Sequence, residues 1–443
     1  MKPLYKYILA TCLLLPTGVA LGQTGKSPKL AVIPNGSEPS SLSRVTNFNP
    51  SISLTDTTLA IVADSLRTDG TATIFTVYET DADNLVGLWQ VGSGSNRALW
   101  LNSQRASYDR FAVTYRKANE HGVVVHSMQY QYPAPDSKYD GRDTLFLGRE
   151  GDNSGHKNLC AVLYFPGQLD RQYRCQLESA LAIRYGAVLH GPYVNSRSET
   201  LWNPLADDSL YSVGVCGIGR DDNLSLLQPR SIIRNGIMTI EADRPFSDLE
   251  HIMLGSDGGT LDLGDESVLD HSVAYTALDR QWKLRAHTHG RSVPVRLTAS
   301  LPLPADALRL KLTTDEETTV IAPDASGTFS LELSDGQDCY LSLLVDNSFE
   351  NGTPESEMLN TAFKYSVSPN PTSGNYTLNV EQSDDDIVNI RVVDANGRIV
   401  EQHSSSEPLS QYTYNGHLDA DGIYYVTVSS NGRQQTIKLI VVL

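Results

Sequence analysis

Several residue groups have the types and spacing that chemistry needs. Asp221 and Asp222 follow Gly217-Ile218-Gly219-Arg220, and carboxylates beside glycine backbone can supply the oxygen ligands a hard cation such as calcium takes. Further ligands would be needed and the pattern is not an EF-hand loop, so a structural turn with a buried Arg220–carboxylate pair is the competing reading. His287-Thr288-His289 puts two imidazoles on one face of a strand, which metals can use, yet no third ligand is identifiable. Glu79-Thr80-Asp81 comes nearest to the paired carboxylates that glycoside hydrolysis requires, but at a strand end. Gly92-Ser93-Gly94-Ser95 lacks the G-x-S-x-G of a nucleophile elbow. No phosphate-binding loop or dinucleotide fingerprint occurs. Trp89, Trp100 and Trp202, with 21 tyrosines, could stack on sugars, although tryptophan in a β-sandwich more often fills the core.

The chain that must position these groups has 443 residues, enough for two to four domains, and 40% of them are hydrophobic. A formal net charge of −17 removes the basic footprint that nucleic acid requires and disfavours anionic lipid. Five cysteines occur. Cys12 lies in an N-terminal apolar run; Cys160, Cys175, Cys216 and Cys339 remain as a possible disulfide set, with unpaired buried thiols as the alternative. Their spacing contains no C-x-x-C and cannot choose a pairing.

The N-terminus has a basic start at Lys2 and Lys6, an apolar run from Tyr7 to Leu15, and Ala20-Leu21-Gly22 at a cleavage position. This reads as a secretory signal peptide over 1–22, with a run too short to span a membrane. An extension over 23–44 follows. From there to Val345 the pattern is mostly β: Ala72–Tyr78, Phe111–Tyr115, Gly122–His126 and Cys160–Phe165 are strand-like runs bounded by turn-formers. One segment has helical spacing, Tyr173, Leu177, Ala180, Leu181 and Tyr185, with Asp170 as N-cap and Gly186 as C-cap. The stretch 347–362 is rich in Ser, Glu, Asn, Gly and Pro and reads as a linker.

The last stretch, 363–443, has its own rhythm. Ser368-Pro369-Asn370-Pro371-Thr372-Ser373-Gly374 is a run of turn-formers. Tyr376–Val380 and Ile387–Val393 alternate as half-buried strands, and Asp394-Ala395-Asn396-Gly397 supplies a hairpin turn before Arg398-Ile399-Val400. Asp421-Gly422 precedes Ile423–Val428, and Asn431-Gly432 leads into Thr436–Val441.

These motifs, Pro369-Asn370-Pro371 with Gly374, Asp394-x-x-Gly397-Arg398, and Gly422-x-Tyr424 followed by Lys438-Leu439-Ile440-Val441, closely resemble the type A C-terminal sorting domain of Bacteroidetes type IX secretion. The resemblance implies an immunoglobulin-like sandwich recognised by the outer-membrane translocon. It also implies removal by a sortase-like peptidase and, often, attachment of the mature chain to lipopolysaccharide. Upstream, Asn47-Phe48-Asn49-Pro50-Ser51 and the helix Glu178-Ser179-Ala180-Leu181-Ala182-Ile183-Arg184-Tyr185-Gly186 resemble a laminin-G-like (concanavalin-A-like) jelly-roll of secreted Bacteroidetes proteins, with Arg184 where lysine is usual. Leu201-Trp202-Asn203, Val215-Cys216-Gly217-Ile218-Gly219-Arg220-Asp221, Gly255-Ser256-Asp257 and Arg280–Leu284 are similar to an adjacent domain of unknown function, with Cys216 where a small or apolar residue is usual.

The expectation is therefore a mainly β, multidomain protein. A jelly-roll carrying one helix spans 45–190, a second β-rich module 191–346, and the sorting sandwich 363–443. It is exported through the periplasm to the outer-membrane surface or beyond. The functional expectation is a non-enzymatic adhesin or envelope protein binding glycan or protein, with no obligatory cofactor and calcium as an option. A secreted hydrolase of polysaccharide or peptide is the alternative.

Overall fold

The computed structural model of the chain describes residues 27–442 except 37–41, 55–58, 64, 67–69, 81–85, 94–95, 109–110, 116–121, 132–140, 149–156, 234–236, 272, 302, 348–362, 395–398, 406–408 and 431–432. The expected signal segment, Asp81, Gly397, Arg398 and nearly all of the expected linker lie outside the described residues. The described chain is mainly β, as its alternating runs require, and it gathers into three sandwiches.

In the first sandwich one sheet runs β10 (Gly122–Gln131), β5 (Thr71–Thr80), β12 (Lys157–Pro166), β3 (Asn49–Ser53), β2 (Ser43–Thr46), with β1 (Leu30–Val32) also on β12. The facing sheet runs β4 (Leu59–Val62), β11 (Thr144–Leu147), β6 (Gly87–Ser93), β7 (Asn96–Asn102), β8 (Arg105–Tyr108), β9 (Phe111–Thr114). Ile74, Tyr78, Trp89, Leu99, Leu101, Leu145, Leu147 and Val162 fill the space between them. Strands β5 and β12 are apolar on both faces, and the reason is tertiary. Phe75, Val77, Leu163 and Phe165 point away from that core into a second one, built on the helix.

Helix α1 (Arg171–Tyr185) starts where Asp170 accepts the Tyr173 N–H and stops where Gly186 turns left-handed at φ +70°. It does more than close the first sandwich. Leu177, Ala180, Ala182 and Ile183 share a core with Phe75 and Leu163 on one side and with Val215, Leu226 and Met253 on the other. The helix is thus a filler layer between two sheets.

The second module opens with the hairpin β13 (Tyr193–Val194) and β14 (Thr200–Trp202). Its large sheet runs β16 (Leu226–Gln228), β15 (Val213–Asp221), β19 (His251–Ser256), β21 (Val273–His287), β26 (Asp338–Asp346), β23 (Leu308–Thr313), β24 (Thr318–Ile321), with β20 (Leu263–Asp270) on β21. A smaller sheet, β17 (Arg230–Ile232), β18 (Met238–Ala242), β22 (Val293–Ala299), β25 (Thr328–Leu333), covers one face of it. Trp282, Leu284, Leu297 and Phe329 lie in the core between them.

The last sandwich pairs β27 (Phe363–Ser368), β28 (Asn375–Asp386), β31 (Leu409–His417) with β30 (Ile399–Ser404), β29 (Asn389–Asp394), β32 (Gly422–Ser430), β33 (Arg433–Val441). Among the described residues its core, including Tyr376, Leu378, Ile390, Val426 and Leu439, draws only on residues from Val367 onward.

The four cysteines are free thiols. Cys216 and Cys339 show why spacing could not reveal this. They sit in one cross-strand row through Leu254 and Leu284, three strands apart. That separation is about 14 Å, far beyond disulfide reach.

Candidate functional site

The Asn47–Ser51 motif and the end of α1 meet the second module at one junction. Asn47, at φ +47°, donates through Nδ2 to the Ile183 and Arg184 carbonyls at 3.3 and 3.0 Å. Its Oδ1 accepts from Ser231 Oγ at 3.1 Å and the Ile232 N–H at 2.9 Å. Asn49 Nδ2 donates to the Arg184 carbonyl at 2.7 Å and to Gln228 Oε1 at 3.0 Å. The two asparagines satisfy carbonyls that every helix C-terminus leaves open and tie them to the second module. Arg230 sits over the Phe48 ring at 4.3 Å. A chain segment that reads as a domain start is a polar clasp.

The Gly217-Ile218-Gly219 run is also architectural. A Cβ at Gly217 would meet Met253 Sδ at 2.6 Å, and one at Gly219 would meet the Glu250 carbonyl at 2.6 Å. Asp221 and Asp222 diverge. Asp221 is buried, accepts the Ser196 N–H at 2.7 Å, and has its pKa raised by desolvation. Asp222 is exposed and takes Arg220 in a two-point ion pair at 2.7 and 2.8 Å. The expected Arg220–carboxylate pair therefore exists, but at the surface rather than buried. Among the described residues no three His, Cys, Asp or Glu side chains gather as a metal site.

The two imidazoles do not share a strand face. His287 ends β21 and contacts the Leu201 carbonyl through Nε2 at 2.8 Å, while His289 lies in the following turn at φ +51°. Glu79 is held by Thr46 Oγ1 at 2.8 Å and Asn158 Nδ2 at 3.0 Å.

The most concentrated charge escaped the sequence reading. Lys283 and Arg285, two apart on β21 and so on one face, meet Asp208 and Asp338. Lys283 Nζ is 2.7 Å from Asp208 and 2.9 Å from Asp338; Asp208 is 1% exposed and Lys283 3%. Burial alone would drive the Lys283 ammonium toward neutrality, but the two carboxylates outweigh it and hold its pKa above the usual value. Both cations lie within 6.0 Å of the buried Trp202 ring. The alternation Lys283-x-Arg285 was visible in sequence, but the carboxylates come from distant segments. The cluster neutralises itself and acts as a structural lock.

The tryptophans divide cleanly. Trp89, Trp202 and Trp282 are buried. Trp89 spends its N–H on Thr76 Oγ1 at 2.8 Å inside the first core. Trp100 is different. Leu99 and Leu101 on either side of it face the core, so Trp100 points outward and is half-buried. It stands opposite Gln90, which stands opposite Phe146, also half-buried. Ala60 ends the row on β4, and Ser107 holds the Trp100 backbone, accepting its N–H at 2.8 Å. Gln90 is 3% exposed, and its Oε1 is buried with no hydrogen-bond partner among the described residues. An unsatisfied buried acceptor costs about 1–3 kcal/mol. Of the aromatic residues singled out from sequence, only Trp100 lies on this face, across from Gln90 and Phe146.

In the last sandwich the turn run and the terminal strand close on each other. Asn370 Oδ1 accepts the Ile440 N–H at 3.0 Å, Thr372 N donates to the Ile440 carbonyl at 2.9 Å, and Val442 N donates to the Thr372 carbonyl at 2.8 Å. Pro369 and Pro371 shape the loop that carries these groups, and Gly374 turns its end at φ +105°. Asp394 pairs with Tyr424 across β29 and β32, and Lys438 pairs with Tyr425 across β32 and β33. Tyr424 donates to the Ala420 carbonyl at 2.9 Å. Motifs far apart in sequence thus meet within one sandwich.

Fold and motif geometry together define a multidomain β-protein whose last sandwich has a core of its own. Comparison with known families agrees at that end: residues 366–442 match a family described as a secretion system C-terminal sorting domain. Residues 173–353, beginning inside α1, match a family described as a domain of unknown function, DUF8202. No curated protein matches the chain. Among solved structures, a β-glucuronidase of Faecalibacterium prausnitzii is 14% identical over 34% of this chain and 37% of its own, with a TM-score of 0.16. A Ruminococcus gnavus β-glucuronidase in complex with uronic isofagomine is 12% identical over 34% of this chain and 36% of its own, also at 0.16. The chain spans little more than a third of those enzymes, and likeness at that level carries no argument about activity. The sorting domain engages the type IX secretion machinery, and the chain is exported to the cell surface or extracellular space.

Proposed function

We propose that this is a non-enzymatic surface protein, an adhesin or envelope component, whose first sandwich is a laminin-G-like domain that binds ligand. One observation carries the reading: the two sheets of that sandwich face different surroundings. The sheet holding β5 and β12 buries its outward side against α1 and the second module. The opposite sheet turns Trp100 and Phe146 outward, half-buried. One face is committed to architecture and the other presents aromatic surface, as a binding domain on a rigid support needs. In this reading the sorting sandwich is cut off within 348–362 by a sortase-like peptidase, and the mature chain is joined to lipopolysaccharide.

The test is to offer the purified mature chain to glycan and protein arrays, with and without calcium, while assaying hydrolysis of polysaccharide and peptide. Retention without turnover is the expected result. Turnover without retention defeats the proposal and favours a hydrolase.

A further inference from the structure

We propose that the sorting sandwich docks on the export machinery through the outward face of its four-stranded sheet, on a patch centred on Ile423, Tyr425 and Ile440. Secretion is the role of the family that matches this end of the chain, whatever the first sandwich binds.

The two sheets of the sandwich turn unlike faces to solvent. On the three-stranded sheet, outward positions are polar and satisfy one another: Thr377 Oγ1 donates to Asn415 Oδ1, and Thr413 Oγ1 to Asn379 Oδ1, each at 2.9 Å. On the four-stranded sheet Tyr424, Val426 and Leu439 fill the core, so alternation turns Ile423, Tyr425 and Ile440 the other way. Ile423 is 39% exposed and Tyr425 41%. Ile423 stands directly across from Ile440, on β33. Scattered apolar side chains are ordinary on a surface, but adjacent ones on a rigid sheet mark a contact face.

The sorting motifs aim this patch. Asn370 and Thr372 hold both the N–H and the carbonyl of Ile440, which fixes the side on which its side chain emerges. Tyr424 is tied to the Ala420 carbonyl and so sets the turn from which Ile423 and Tyr425 leave. The motifs use their polar groups inside the sandwich, and the residues between them are left to meet a partner.

Charge selects the partner. Strands β32 and β33 contain no Asp or Glu, and Asp394 of β29 stands across from core-facing Tyr424. Asp421 is exposed in the turn at one end of the face. Arg391 stands across from Thr427, and Lys438 across from Tyr425. In a chain of net charge −17, this face is apolar and basic. Its complement is a protein surface with an apolar depression bordered by carboxylates. Such a surface repels the acidic remainder of the chain and attracts this face, which orients the tag as it docks. A second copy docked face to face would set like charges against each other.

The test is surface display of the full chain in a cell with type IX secretion, read as surface protease accessibility and the periplasmic pool, with calorimetry on each purified variant. Ile423→Thr with Tyr425→Thr keeps strand-forming side chains, so the tag's melting transition should stay in place. Display should fall roughly tenfold or more, with the chain held in the periplasm. Tyr425→Lys, at an exposed position outside the core, should lose display as well and serves if the double variant melts early. Tyr425→Phe should keep most of it, and Thr413→Ala on the other sheet should display normally. Normal display of Tyr425→Lys, or of a folded double variant, overturns the assignment. A loss in Thr413→Ala as deep as in the double variant also overturns it, because any disturbance of the tag would then suffice. Self-association, or flotation with phosphatidylglycerol vesicles, that the double variant loses while display persists would give the face to a second copy or to lipid instead.

Discussion

The join between the first sandwich and the second module is built unlike the approach to the sorting sandwich. At the first join a helix supplies apolar contacts to both sides, Asn47 and Asn49 stitch three segments together, and Arg184 reaches the Ser225 carbonyl. Residues from Phe75 to Met253 share one core. Among the described residues the last sandwich keeps its buried apolar side chains in a core of its own. Burial across a boundary makes two modules one cooperative unit, and burial that stops at it leaves a part that can be removed without opening the rest. An export tag carried behind a folded unit suits the second arrangement.

Deleting 363–443 should have the largest effect and the most one-sided. Surface display should be lost, with the chain retained in the periplasm, while the melting transition of the front unit stays where it was. A front unit that melts earlier without the tag would break the comparison. Next in size, Trp202→Ala should destabilise the front unit by about 3–5 kcal/mol, because a fully buried indole leaves a void at the shared core. Asn47→Ala should cost about 2 kcal/mol through carbonyls and donors left unpaired. In calorimetry both variants should lower one joint transition of the first two modules and leave the tag's alone. Two separately moving transitions in place of the joint one would show that the weld is not cooperative.

Acid should sharpen the same contrast. Burial lowers His251 from 6.5 to about 4, and His126 likewise. A base with a depressed folded pKa gives stability that is present above the unfolded value and lost as pH falls toward the folded one. The front unit should therefore weaken between pH 6.5 and about 4. Among the described residues no histidine of the tag is buried, so its transition should move less in that window. His251→Asn should flatten the slope of the front unit; an unchanged slope counts against this origin. The smallest effect belongs to Asn370→Ala. It removes the exposed hydrogen bond to the terminal strand, costing about 1 kcal/mol in the tag alone.

Sequence pattern read local structure well and surroundings poorly. Asp170 and Gly186 marked both ends of α1, because caps are chemistry that a few adjacent residues settle. The strand runs were visible for the same reason. The imidazoles of His287 and His289 were placed on one face because alternation was assumed to continue, but the strand stops at His287. The Asp208–Lys283–Arg285–Asp338 lock could not be read, since its carboxylates and cations lie on separate segments. Nor could the tryptophans be sorted. Trp89 and Trp100 both sit in apolar strand runs, and only their strands' neighbours put one in the core and the other on the outward face.

By itself the sequence determined the β-rich elements, the single helix, and the turn chemistry of the export tag, because capping, alternation and tight turns depend on near neighbours along the chain. The tertiary structure alone decided which sheet face is welded and which is presented, which carboxylate meets which cation, and that the cysteines stay apart. Those outcomes depend on which distant segments share a core, and solvent exclusion acts on packed surfaces regardless of their order in the chain.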